Sequence, residues 1–249
     1  MNTNTILAIE NLSFKISGLA KAILHNINYT VNKGDFVILL GSNGSGKSSL
    51  LKLIDKRNIA THGQICFANK KINDYAHKKF SSDLITLTQN YGESLFSSLT
   101  VHENFLMAKQ RVAKNSKNLL EMSDRDFCAH YLQKFNPNLN RKLETIASAL
   151  SGGEQQALAL ALSVLHTPQL LLLDEYTSAL DPKSAQRLIE ITSKVISENN
   201  ITCILATHDL KIALHYGNKI LALRDGEIYC AIDKATEKVD EKKLLEIYC

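Results

Sequence analysis

The chain carries no paired cysteines. Its five, Cys66, Cys128, Cys203, Cys230 and Cys249, are odd in number, and no two form a C-x-x-C pair. That spacing gives neither a zinc site nor a dithiol redox pair, and scattered free thiols fit a reducing cytosol. No apolar run approaches the roughly 18 residues of a membrane span. The most apolar stretch, 157–165, is broken by His166-Thr167-Pro168. Met1-Asn2-Thr3-Asn4-Thr5 lacks the basic-then-apolar character of a signal peptide. There is no internal repeat and no low-complexity segment. What remains is an ordinary globular composition: 249 residues, 45% hydrophobic, 22% charged, with a net charge of +4. A charge that small suits a phosphate-bearing ligand or an anionic membrane surface, but it reads first as a solvated basic surface.

The hydrophobic pattern alternates strands and helices. Ile23, Leu24, Ile27, Tyr29 and Val31 punctuate a polar background and end at Gly34-Asp35. Phe36-Val37-Ile38-Leu39-Leu40 is apolar without alternation, as a strand covered on both faces reads. Residues 48–54 predict a helix. The same rhythm returns with strands over 170–173, 201–206 and 219–223 and a helix over 210–215, and Gly226 turns the chain into a further strand. Asp181-Pro182 predicts a helix start, with the acid as cap and proline in the first turn. Between residues 91 and 149 the strand signals fade, which predicts a helical insertion in an α/β body.

Gly41-Ser42-Asn43-Gly44-Ser45-Gly46-Lys47-Ser48 fits G-x-x-x-x-G-K-[ST] between a buried strand and a helix. Glycines let backbone N–H groups curl around phosphate oxygens. The following helix aims its positive end at them. Lys47 supplies a point charge, and the Ser48 hydroxyl suits Mg²⁺. Downstream, Leu170-Leu171-Leu172-Leu173-Asp174-Glu175 is a buried strand ending in two acids. Asp174 suits Mg²⁺, and Glu175 is placed to orient or deprotonate a water. Isolated, such acids are more often solvated strand ends; the upstream loop favours the functional reading.

Leu150-Ser151-Gly152-Gly153-Glu154-Gln155 resembles the signature of the ATP-binding cassette (ABC) ATPases. The order of phosphate loop, signature, carboxylate strand, Ser178-Ala179-Leu180-Asp181 and Thr207-His208-Asp209 resembles that family over nearly the whole chain. The resemblance implies an α/β P-loop NTPase in a single domain, with a mainly parallel core sheet and an N-terminal antiparallel β part over 1–90 and 150–249, and a helical subdomain over 91–149. It implies ATP and Mg²⁺ as ligands, held by the loop through Ser49. It also implies a dimer in which Ser151, Gly152, Gly153 and Asp181 meet the ATP of a second copy or of a homologous cassette. Gln89 would join core to insertion and sense Mg²⁺ and water, and His208 would contact the γ-phosphate. A lone Gln or His is usually structural, so these two rest on the resemblance.

The sequence departs from the family pattern at three places. Ile16 stands where adenine usually stacks on an aromatic, leaving Phe14 or Tyr29 as substitutes. Ala157 and Leu162 replace arginines, and Tyr176 replaces a common proline. The segments 170–183 and 213–218 resemble a bacterial importer group associated with tryptophan-type substrate-binding proteins. The expectation is therefore an ATPase peripheral to the cytoplasmic face of the inner membrane, bound to integral membrane subunits and through them to a substrate-binding protein, without nucleic acid. The alternatives are a soluble cluster-assembly cassette, or a lipoprotein-release or cell-division type, which shares Glu154-Gln155-Gln156. A P-loop kinase leaves residues 150–155 unexplained.

Overall fold

The computed structural model describes residues 4–16, 18, 21–90, 94–110 and 125–248. In chain order the elements are β1 (Thr5–Phe14), β2 (Leu24–Asn32), β3 (Phe36–Leu40), α1 (Lys47–Ile54), β4 (His62–Phe67), β5 (Lys70–Lys71), α2 (His77–Asp83), β6 (Leu84–Thr88), α3 (Val101–Gln110) and α4 (Arg125–Leu132). There follow α5 (Gly152–Val164), β7 (Leu170–Asp174), α6 (Pro182–Glu198), β8 (Thr202–Thr207), α7 (Leu210–His215), β9 (Lys219–Arg224), β10 (Glu227–Asp233) and α8 (Glu241–Tyr248).

Two compact units emerge. The first holds Met1–Thr86, Gln169–Glu175 and Val195–Cys249. The second holds Leu87–Pro168 and Tyr176–Lys194, so it takes in α5 and most of α6 besides the segment 91–149.

Two sheets organise the strands. One is antiparallel, in the order β2-β1-β4-β5. The other runs β10-β9-β3-β8-β7-β6, with β3 parallel to β8 and β9, and β7 parallel to β8. The lack of alternation in β3 and β7 has its cause here: both are buried along their whole length. Each of Leu170, Leu171, Leu172 and Leu173 is fully shielded, a burial that stabilises by roughly 1.5–3 kcal/mol per side chain. The β9–β10 hairpin turns on Asp225 (φ 50°) and Gly226 (φ 82°), the positive pair that a two-residue hairpin of native twist requires. Gly226 N–H donates to Ser45 O at 3.2 Å, tying this turn to the phosphate loop.

In the second unit, Thr100 and Glu103 form a reciprocal cap at the start of α3: Thr100 N–H donates to Glu103 Oε2 at 2.7 Å and Glu103 N–H to Thr100 Oγ1 at 3.1 Å. Tyr131 Oη donates to Ala161 O at 2.7 Å and fastens α4 to α5. Helix α5 is buried at Glu154, Gln156–Ala161, Ser163 and Val164.

Candidate functional site

The first unit assembles one cluster at the C-terminal ends of its parallel strands. The phosphate loop leaves β3 at Leu40 and enters α1 through Gly46, whose φ is 104°. A Cβ there would stand 2.6 Å from Leu24 Cδ2; sterics and backbone conformation both demand glycine. Around Gly44 (φ 85°) a Cβ would meet nothing within 4 Å, so the loop faces open space at that point. Helix α1 has no side-chain cap and no acid in its first turn, which leaves its first N–H groups available to an anion. Ser45 Oγ is buried without a hydrogen-bond partner.

Lys47 is only 4% exposed. Its Nζ donates to Gly41 O at 2.8 Å and Ser42 O at 3.1 Å and lies 3.4 Å from Glu175 Oε1. Ser48 Oγ donates to Asp174 Oδ1 at 2.9 Å. Burial pushes the Asp174 carboxyl above its ordinary value; the Ser48 hydrogen bond opposes that shift and the neighbouring Glu175 charge adds to it. A carboxylate that costs this much to ionise gains from a cation. Ser48, Asp174 and the unpartnered Ser45 hydroxyl therefore fit a phosphate group with a hard divalent ion.

Glu175 has φ 46°, a strained backbone for a non-glycine residue. Its N–H donates to Ala206 O at 3.1 Å, extending the β7–β8 ladder one residue past the strand. This holds the carboxylate with Oε1 facing Lys47 Nζ and, at 3.5 Å, His208 Nδ1. His208 itself is half exposed. Around it, Asp209 N–H donates to Thr207 Oγ1 at 3.0 Å, and Asp209 Oδ1 accepts from Lys211 N–H at 2.7 Å to cap α7. Gly41, Ser42, Asn43 and Ser49 complete the loop and the first turn of α1.

Ile16 is 46% exposed, in the segment after β1. Ile23 N–H donates to Phe14 O at 2.7 Å, and Leu24, the first residue of β2, has its side chain against Gly46. Phe14 is buried in the core cluster and Tyr29 packs against it. Both rings are thus committed to packing, which leaves Ile16 as the accessible side chain. Burial pushes the Tyr29 hydroxyl up to about 12, and nearby Asp35 adds to it.

The second unit carries Gln89, Ser151, Gly152, Gly153 and Asp181. Gln89 is exposed at the end of β6. Ser151 caps α5 in a full capping box with Glu154. Asp181 Oδ1 accepts from Lys183 N–H and Ser184 N–H, each at 3.1 Å; a hydrogen bond from the Ser184 side chain, helped by these N–H groups, holds its carboxyl below its ordinary value. A cavity of about 410 Å³ is lined by Ser151, Gly152, Gly153, Asp181, Asn136 and Arg187 among others. Tyr176 is buried at 2% exposure, and its hydroxyl bonds Thr192 Oγ1, which donates to Leu188 O.

Sequence reasoning did not anticipate Lys142, whose Nζ bonds both Glu154 carboxylate oxygens, at 2.7 and 2.8 Å. Nothing in its sequence neighbourhood announces that pairing. It also missed the Tyr176–Thr192 bond, which no local spacing predicts.

The parallel sheet, the glycine loop leading into an uncapped helix and the carboxylate strand beside it define a P-loop nucleoside-triphosphatase. Residues 24–178 match the family model described as ABC transporter, and the chain belongs to that family, as one of its ATP-binding ATPase subunits. It is 35% identical over 246 residues to the tyrosine transport ATP-binding protein of Clostridioides difficile, covering 97% of this chain and 98% of that one. It is 30% identical over 254 residues to phosphonates import ATP-binding protein PhnC 1 of Nostoc sp., covering 100% and 94%. Among solved structures it resembles the cassette MJ0796 in a dimeric post-hydrolysis state bound to ADP and Pi, with TM-score 0.77, 26% identity and coverage of 92% and 98%. Among the described residues, no helix is long and apolar enough to cross a membrane.

Proposed function

We propose that the chain powers a bacterial importer of a small solute by pairing, through ATP, with a second copy of itself or a homologous cassette. The observation that carries this is a division of labour. One unit assembles two adjoining pairings, Ser48 with Asp174 and both Lys47 and His208 with Glu175. The other presents the α5 N-terminus and Asp181 around an open cavity. Helix N-termini favour anions, and the exposed Ser151 hydroxyl at this one suits a partner's nucleotide. The dimeric form of the similar MJ0796 supports the pairing. The transport and import roles of the two curated relatives support the importer reading.

In this reading the loop N–H groups and Lys47 hold the triphosphate. Ser48, Asp174 and Gln89 would hold Mg²⁺, which when bound neutralises phosphate charge. Glu175 accepts the proton of the attacking water. Its strained φ and ladder bond fix the carboxylate in advance, so little reorganisation is needed at the moment of reaction. His208 lies beside Glu175 and senses the terminal phosphate. Ser151, Gly152 and Gly153 offer a hydroxyl and N–H groups to the partner's ATP, while Asp181 faces the partner. Ile16 packs on adenine without a π face. The chain sits peripherally on the cytoplasmic face of the inner membrane, held there by integral membrane subunits and through them linked to a substrate-binding protein.

Glu175→Gln tests the pairing. Turnover should fall by about 10²–10⁴-fold, and light scattering should show a dimer with ATP and Mg²⁺ and a monomer without. A monomer at saturating ATP would overturn the pairing. Purification from solubilised membranes tests the transport role: an integral membrane subunit should accompany the chain, and a purely soluble assembly would favour the cluster-assembly alternative.

A further inference from the structure

Glu154 poses an electrostatic problem that the chain solves with a residue outside the signature. It stands in the first turn of α5, 5% exposed, with its side chain folded back over the helix N-terminus. Ser151 N–H donates to Glu154 Oε2 at 3.0 Å, and Glu154 N–H donates to Ser151 Oγ at 3.4 Å. A carboxylate there satisfies the positive end of the helix by itself. It therefore competes with any external anion for the same field and repels it. Lys142 removes that competition. Its Nζ grips both carboxylate oxygens, at 2.7 and 2.8 Å, and the pair is net neutral. The cap also sets the Ser151 hydroxyl: its oxygen accepts the Glu154 N–H, which leaves the O–H proton free to donate outward.

We propose that Lys142 is a positioning residue for nucleotide capture, cancelling the Glu154 charge so that the α5 N-terminus and the Ser151 hydroxyl can receive the γ-phosphate of a partner's ATP. This rests on the paired reading above. Burial raises the Glu154 carboxyl, but the Lys142 and Ser151 bonds outweigh it and hold the group below its ordinary value. Glu154 thus keeps its charge, and Lys142 must balance it.

The test uses the full chain in a Glu175→Gln background and reads the ATP concentration for half-maximal dimer by light scattering, with turnover measured separately in the Glu175 form. Lys142→Met should raise the half-maximal ATP concentration about tenfold or more, the scale of losing a group that orients a ligand-binding residue. Adding Glu154→Gln should restore most of it, because the neutral amide keeps the cap without the charge. Lys142→Arg should behave as the parent. An unchanged Lys142→Met overturns the proposal. So does a defect that Glu154→Gln leaves in place, since that marks a merely structural lysine. If Lys142→Met does not fold, judged by its melting curve, Lys142→Gln with and without Glu154→Gln gives the same comparison. Failure of the parent itself to pair on ATP overturns the paired reading instead, and is seen before any Lys142 variant is made.

Discussion

Helices α1 and α5 both start at a glycine-bearing motif, α1 just after Gly46 and α5 with Gly152 and Gly153 as its first residues, yet their N-termini are finished in opposite ways. At α1 the capping residue is Gly46, with no side-chain cap and no acid in the first turn. At α5 the capping residue is Ser151, with a complete capping box and an acid, Glu154, in the first turn. The first terminus leaves its N–H groups without a cap, a conformation that is stable only if a ligand or water takes them. The second is self-sufficient, and its acid is balanced by Lys142. The difference teaches that α1 is built to hold an anion as part of its own structure. Helix α5 is capped by its own residues and is built to persist without one. That asymmetry fits the proposed roles of α1 as the phosphate cradle and of α5 as the surface offered to a partner's nucleotide.

The comparison can be broken most decisively at Lys47. Lys47→Ala removes the cation from the α1 side, and kcat/KM for ATP should fall by about 10²–10³-fold; unchanged turnover at saturating ATP would show that the loop is not the phosphate site. At α5 the effect should appear in stability. Ser151→Ala removes the cap acceptor and should lower unfolding free energy by about 1 kcal/mol, read by denaturant titration without nucleotide. An Ser151→Ala chain as stable as the parent would deny α5 its self-sufficiency.

A smaller effect has its sign fixed by Asp174. Its folded carboxyl is raised, chiefly by burial, so the folded chain binds the proton more tightly than the unfolded one. Stability from this group is therefore greatest below the ordinary aspartate range and falls as pH rises through the folded value. Asp174→Asn should raise the melting temperature of the nucleotide-free protein at neutral pH, and the advantage should vanish as pH drops and the native aspartate takes its proton. An advantage independent of pH would remove the electrostatic account. The smallest change is expected at Ile16. Ile16→Tyr offers a ring where Phe14 and Tyr29 are buried or packed away; a stacking gain of about 0.5–1.5 kcal/mol corresponds to ATP binding tightened roughly two- to tenfold, measured by calorimetry. No change would mean another group already covers the base.

Elements with a strong local cause were readable from sequence. Strands β3 and β7 showed as unbroken apolar runs because both faces are covered. Helix α6 announced its start because Asp181 caps it and Pro182 tolerates the first turn. The Gly41–Ser48 loop was readable because its eight residues are consecutive. The extent of the second unit was not, since it unites Leu87–Pro168 with Tyr176–Lys194 across the intervening strand β7.

By itself the sequence determined the sheet class, the phosphate loop and the order of motifs, because contiguous residues impose local conformation whatever lies elsewhere. Only the tertiary structure decided which charges meet. Ser48 and Asp174 are 126 positions apart, and Lys47, from the start of α1, and His208, from the loop after β8, converge on one oxygen of Glu175. Lys142 finds Glu154 across a turn that carries no pattern of its own. Coulombic pairing depends on distance in space, and only the packing of strands and helices sets that distance.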